Sequence, residues 1–117
     1  MLQPKQVEDS IVYTNNRVTK LAIENLKRSR FTVLGDDGKL SWSEALLKCI
    51  SGELSVCIFH SPQTRDVLLG ALIESFSDGR MTDWEGKKIS WPNGGRIPYV
   101  IFAAKSISSE IVKSLRP

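Results

Sequence analysis

The spacing of hydrophobic positions along this 117-residue chain changes from segment to segment, and the changes mark out alternating strands and helices. Ile11-Val12-Tyr13-Thr14 reads as a short strand, after which Asn15 or Asn16 offers an N-cap for a helix running to about Ser29. On that helix Val18, Ala22 and Leu26 align with Leu21 nearby, while Arg17, Lys20, Lys27 and Arg28 gather on the opposite side around Glu24. Phe31-Thr32-Val33-Leu34 predicts a second strand, and Gly35-Asp36-Asp37-Gly38 a turn.

Ser41-Trp42-Ser43-Glu44 has capping-box spacing, so a second helix is expected from Trp42 to a stop near Gly52. Residues 54–60 are nearly all apolar, the composition of a strand covered on both faces at the centre of a sheet. Ser61-Pro62 supplies a cap and a first-turn proline for a third helix through Leu68, Leu69, Leu72, Ile73 and Phe76, with Asp78-Gly79 closing it. Residues 87–91 and 96–104 read as a hairpin joined by Pro92-Asn93-Gly94-Gly95, with Pro98 at an edge or bulge, and Ser106 caps a last helix over 107–115.

This order predicts an α/β or α+β fold: a single domain over residues 11–117, with a mixed sheet of four to five strands and about four helices packed against it. Residues 1–10 read as a flexible N-terminal arm. A winged-helix arrangement is the topological rival, and the buried-looking strand at 54–60 counts against it.

Composition agrees with a globular chain, 41% hydrophobic and 25% charged. Its formal charge of +3 is concentrated in residues 17–30, where Arg17, Lys20, Lys27, Arg28 and Arg30 face Glu24 alone; from Phe31 onward basic and acidic residues balance. Such a one-faced cationic helix suits phosphate or an acidic protein surface. Cys49 and Cys57 fall in apolar patterns and read as buried free thiols, which favours a reducing, cytoplasmic setting while leaving a bridge between them open. No apolar run approaches the roughly 18 residues of a membrane span.

Candidate chemistry is sparse. The His60-Ser61-Pro62-Gln63-Thr64-Arg65 junction is a strand-to-helix turn, where backbone N–H groups and the helix dipole converge, so His60, Ser61 and Arg65 are candidate anion-binding residues. No Gly-rich phosphate loop accompanies them. A single histidine, placed by period-two alternation on the opposite strand face from Cys57, leaves no Cys-His dyad, and Ser61 lacks a Gly-x-Ser-x-Gly setting. Glu85-Gly86-Lys87 matches the Glu-x-Lys element of Mg-dependent nucleases of PD-(D/E)xK type, with Asp66 or Asp78 as the second carboxylate. Lys88, Trp91 and Arg96, with Trp84 and Tyr99, interleave cations and rings as single-strand binders do.

Residues 40–46, Leu-Ser-Trp-Ser-Glu-Ala-Leu, followed by Gly52, resemble the opening Met-Thr-Phe-x-x-Ala-Leu and later glycine of a group of small phage proteins that includes sponges for cyclic-nucleotide-like defence signals. The likeness ends at residue 52 and implies no binding residues here.

These features lead to the expectation of a small non-enzymatic binding or regulatory protein. It would act by contact with an acidic protein surface or nucleic acid, through Arg17, Lys20, Lys27, Arg28 and Arg30 and through Lys88, Trp91 and Arg96, without cofactor or metal. The alternatives are the nuclease and a small anion or nucleotide binder at residues 60–65.

Overall fold

A computed structural model describes residue 10, residues 11–15, 18, 20–34, 40–60, 62–74, 77–89 and 97–115. Among these described residues nine elements follow one another: β1 (Ile11–Thr14), α1 (Lys20–Arg28), β2 (Thr32–Leu34), α2 (Trp42–Ser51), β3 (Val56–His60), α3 (Thr64–Glu74), β4 (Gly79–Thr82), β5 (Tyr99–Ala104) and α4 (Lys105–Leu115). The strands form one mixed sheet in the order β2-β1-β3-β5-β4. β1 runs parallel to β2 and β3, whereas β5 runs antiparallel to β3 and β4. This is the mixed sheet with four helices that the alternating pattern predicts, and β3 lies at its centre with Val56, Cys57 and Ile58 fully buried. The winged-helix alternative is excluded.

Side-chain alternation divides the sheet into two faces. Tyr13 and Phe59 meet at 5.8 Å, and Trp42 of α2 packs edge-on against Phe59 at 5.0 Å. Gly70 of α3 lies against Trp42 and Met81, which puts α2 and α3 on that face. The opposite face carries α1 and α4, joined where buried Asn25 donates from Nδ2 to the Leu115 carbonyl at 3.3 Å.

Local chemistry explains the ends of α2. The Ser41 hydroxyl accepts from the Glu44 N–H at 3.2 Å, the Glu44 carboxylate accepts from the Ser41 N–H at 3.0 Å, and Gly52 closes the helix at φ 88°. The cap accounts for the short likeness to phage proteins. Ser41→Ala is expected to cost about 1 kcal/mol in urea unfolding, the usual worth of an N-cap hydroxyl. Hydrogen bonding to Ser41 holds the Glu44 carboxyl below its ordinary 4.5. A carboxyl lowered in the folded state contributes above its unfolded value and loses that contribution as pH falls, so the Ser41→Ala difference should shrink in acid.

Several expectations need correction. Of the expected hairpin strand over 87–91, the described residues Lys87 to Ile89 have no ladder pairing with β5, and the partner of β5 is β4, at the expected helix stop. Gly79 opens β4 opposite Ala104, next to the Lys105 N–H that bonds the Asp78 carbonyl at 2.9 Å. The proposed loop at 92–95 lies outside the described residues, as do residues 1–9 of the expected arm. Helix α3 begins at Thr64 rather than Pro62. Leu21, expected near the core, is 63% exposed.

Cys49 and Cys57 are free and buried, so they are not bridged. Burial, aided by a hydrogen bond with Cys49, pushes the Cys57 thiol well up from its ordinary value of 9.0. Native protein at pH 8 should therefore resist a thiol reagent such as DTNB until denaturant opens the core. Since the unfolded thiol ionises first, its stabilising contribution is complete below pH 9.0 and is lost as pH rises further. Rapid labelling of the native protein would contradict this.

Candidate functional site

The sequence order 2-1-3 in the parallel half of the sheet has a geometric consequence. Leaving β1, the chain turns to α1 on one face; leaving β3, it turns to α3 on the other. The carboxyl ends of β1 and β3 therefore flank a topological switch point, the crevice where open α/β sheets receive ligands.

The crevice is fastened by Asn15. Its Oδ1 accepts from the His60 N–H at 3.1 Å, its Nδ2 donates to the His60 carbonyl at 3.2 Å, and its own N–H donates to the Ile58 carbonyl at 3.2 Å. One amide side chain thus mimics another strand at the point where β1 and β3 separate. Asn15, one of the two asparagines expected to cap α1, spends its side chain across the sheet instead, because the amide can satisfy both backbone groups of His60, and Asn16 lies outside the described residues.

Two buried polar atoms at these strand ends lack hydrogen-bond partners, Thr14 Oγ1 and His60 Nδ1. Thr14 is fully buried, so an unpaired hydroxyl there is costly unless something else meets it. The His60 ring packs at a tilt of 36° against Tyr99, 4.5 Å between centroids and opposite it in the β3–β5 register. Thr64 starts α3, an 11-residue helix whose first N–H groups and dipole favour an anion. The Ile97 N–H donates to the Pro62 carbonyl at 3.0 Å and ties the turn after β3 to the approach of β5.

Beside this end of the sheet lies a cleft of about 280 Å³ lined by Asp83, Trp84, Glu85, Ile89, Ile97, Pro98 and Tyr99. Trp84 and Tyr99 approach to 4.0 Å between ring centroids.

Among the described residues, those singled out from sequence lie in separate places. Lys20, Lys27 and Arg28 are exposed on α1, Lys88 is exposed near the cleft, and Arg17, Ser61, Trp91 and Arg96 lie outside the described residues. Arg30 follows α1 in the left-handed conformation, φ 75°, where it closes the helix as glycine commonly does. His60 sits at the crevice and Arg65 falls in the first turn of α3. Glu85 and Lys87 belong to a turn after β4, in which Asp83 Oδ1 accepts from both the Glu85 and Lys87 N–H groups at 2.9 Å. Asp66 is in α3 and Asp78 precedes β4, so the strand-borne carboxylate pair of a PD-(D/E)xK nuclease is not assembled. Sequence reasoning missed Thr14, Asn15 and Thr64. An Asn directly after a strand was the available signal, and it was equally consistent with a cap.

Among the described residues no three His, Cys, Asp or Glu side chains come together to hold a metal ion. No helix among them is long and apolar enough to cross a membrane.

No protein-family model matches the sequence, and no curated protein does. Solved structures do match the fold. Staphylococcal inositol monophosphatase-1, in a LiCl-soaked inhibitory complex, superimposes with a TM-score of 0.78 at 21% identity, over 95% of this chain and 40% of its own. A dual-specific inositol monophosphatase/NADP phosphatase bound with D-inositol 1-phosphate gives 0.79 at 21%, over 98% and 44%. An inositol monophosphatase family protein from Staphylococcus aureus gives 0.79 at 20%, over 97% and 44%. The chain spans 40–44% of the length of these structures.

The shared architecture overturns the expectation of a non-enzymatic regulatory protein that binds an acidic protein surface or nucleic acid. The fold across 95–98% of the chain is one used by phosphatases, and related solved structures carry Mg²⁺ and phosphate, or NADP and Ca²⁺. The basic face of α1 is open to solvent, as the periodicity predicts, but lysines and arginines at the surface of a helix are ordinary solvation.

Proposed function

We propose that this chain supplies the phosphate-ester-binding portion of a phosphomonoester hydrolase. The observation that carries the reading is the crevice between β1 and β3, held by Asn15 and bordered by two buried polar atoms without partners, Thr14 Oγ1 and His60 Nδ1. Its position at the switch point, next to the start of α3, is where a phosphate would meet converging donors. The likeness in fold to inositol monophosphatases supports the same chemistry.

In this reading the first N–H groups of α3 hold phosphate oxygens, while Asn15 keeps the two strand ends at a fixed separation. The His60 ring, braced on Tyr99, is placed to hold a proton near the ester oxygen. The described donors are hydroxyl, amide and imidazole groups, a set suited to phosphate oxygens. They do not fit the divalent cations of the related structures, which call for several carboxylate or carbonyl oxygens. No step is therefore assigned to a metal within these residues. Two buried free thiols support a reducing, cytoplasmic setting.

Calorimetric titration with D-inositol 1-phosphate tests the proposal. Saturable binding in the micromolar to millimolar range, displaced by inorganic phosphate, is expected. Absence of binding up to about 10 mM, where the interaction free energy falls below roughly 3 kcal/mol, overturns it.

A further inference from the structure

Helix α3 departs from the way the outer helices meet water. Residues 67–73, Val-Leu-Leu-Gly-Ala-Leu-Ile, form an unbroken apolar run inside it, about two turns long, so this stretch has no polar side. Val67, Gly70 and Ile73 are buried, while Leu68 and Leu72 stand one turn apart on the outer side, 57% and 59% exposed. Glu74, which ends the helix, is turned toward β4, where its carboxylate accepts from the Met81 N–H at 2.8 Å. By contrast α1 sets Lys20, Glu24, Lys27 and Arg28 outward, and α4 sets Lys105, Ser109, Glu110 and Lys113 outward. A helix apolar on every side belongs to a covered layer. Neighbouring α2, which meets α3 where Trp42 lies against Gly70, adds Leu47 to the same side of the sheet, 61% exposed.

Charge indicates what covers this layer. The described charged groups beside Leu47 are Glu44, Lys48 and Glu53, of mixed sign, with Lys48 and Glu53 paired at 2.7 Å. The cations of α1 lie on the opposite side of the sheet, so two copies joined through α2 and α3 turn their basic faces away from each other. Leu68 and Leu72 also suit a twofold contact: an axis crossing α3 between them sets Leu68 of each copy beside Leu72 of the other. The contact begins one turn beyond Thr64, leaving the start of α3 and the crevice open. The matched solved structures hold more than half of their own length outside the part shared with this chain, so there the architecture occurs with further polypeptide.

We propose that the α2/α3 face is the interface of a homodimer, in which Leu68 and Leu72, with Leu47 at the margin, pack against the same residues of a second copy. The dimer is independent of the phosphate role of the crevice.

Sedimentation equilibrium of the intact chain, from about 1 µM to about 1 mM, spans the affinities expected of a small interface. The mass should rise over that range from one chain to two. Leu68→Glu combined with Leu72→Glu should weaken association by about a hundredfold, roughly tenfold for each buried leucine lost. Leu72→Ser should weaken it in the same direction, and serves as the test if the double variant does not fold. Leu21→Glu, at a leucine equally exposed on α1, should change nothing. A wild type that stays monomeric throughout overturns the proposal, as does association unchanged by the α3 variants or abolished by Leu21→Glu. Binding of D-inositol 1-phosphate by the monomeric variants is expected to persist, and its absence from a wild type that dimerises would count against the crevice alone.

Discussion

Replacing Gly70 with valine is expected to destabilise the protein by about 3 kcal/mol or more, the upper end of overpacking costs in a filled core. Helix α3 crosses Trp42 of α2 and Met81 of β4 at this residue, and a Cβ there would stand 2.7 Å from Met81 Sδ and 3.0 Å from Trp42 Cζ2. Met81 can swing to relieve the first contact. Trp42 cannot, because it is 4% exposed and its ring is fixed edge-on against Phe59 at 5.0 Å. Alanine meets the same two contacts, but removing a mid-helix glycine gains up to about 1 kcal/mol, so Gly70→Ala should cost much less than valine. Set against a total stability of about 5–15 kcal/mol for a domain of this kind, the valine variant should melt roughly 10 °C or more below the wild type. Thermal unfolding followed by circular dichroism checks this, and an unchanged midpoint for the valine variant would show that α3 does not pack on Trp42 and β4 as described.

The second large effect is expected at Asn15. Leucine has similar volume but neither donates nor accepts, so Asn15→Leu would leave the N–H and carbonyl of His60 without their partner at the opening of the sheet. Each unsatisfied, partly buried group costs about 1–3 kcal/mol, and the two together should lower stability by about 2–4 kcal/mol. The functional effect should be larger than the fall in stability alone implies. Without the clamp, the β1 and β3 ends lose their fixed separation, and the affinity for inositol 1-phosphate should fall about tenfold or more at temperatures where the variant remains folded. Asn15→Asp, which keeps the acceptor for the His60 N–H and places a negative charge at the crevice, should unfold less readily than the leucine variant yet bind phosphate no better. Normal phosphate binding by both variants would remove Asn15 from the account.

The parts of the fold legible in the sequence were those set by local rules. The capping box at Ser41 and Glu44, the stop at Gly52 and the apolar run of β3 each follow from side chains within a few residues of one another, and the structure has them all. The β4–β5 pairing was not legible for the opposite reason. Gly79-Arg80-Met81-Thr82 carries little β-propensity, and its strand exists because Met81 and Thr82 pair with Phe102 and Ile101 of a strand some twenty residues on.

The same division separates the candidate site. His60 was visible as a strand-end residue before a helix. The partners that give it a role are distant in sequence: Asn15, 45 residues earlier, and Tyr99, across the sheet. Strand order decides which ends lie side by side, and strand order is not written in any one segment. The concentration of charge on α1 is conspicuous in the sequence but does not mark this crevice, because a count of charges registers surface residues and passes over neutral polar groups such as Thr14 and Asn15.

The most direct test of the phosphate role is the amide spectrum of the ¹⁵N-labelled chain during titration with D-inositol 1-phosphate. The account predicts that Thr14, Asn15, His60 and Thr64 move together and saturate at one concentration, while the exposed α1 residues Lys20, Lys27 and Arg28 stay still. Movement confined to α1, with the four crevice amides unchanged, would contradict it.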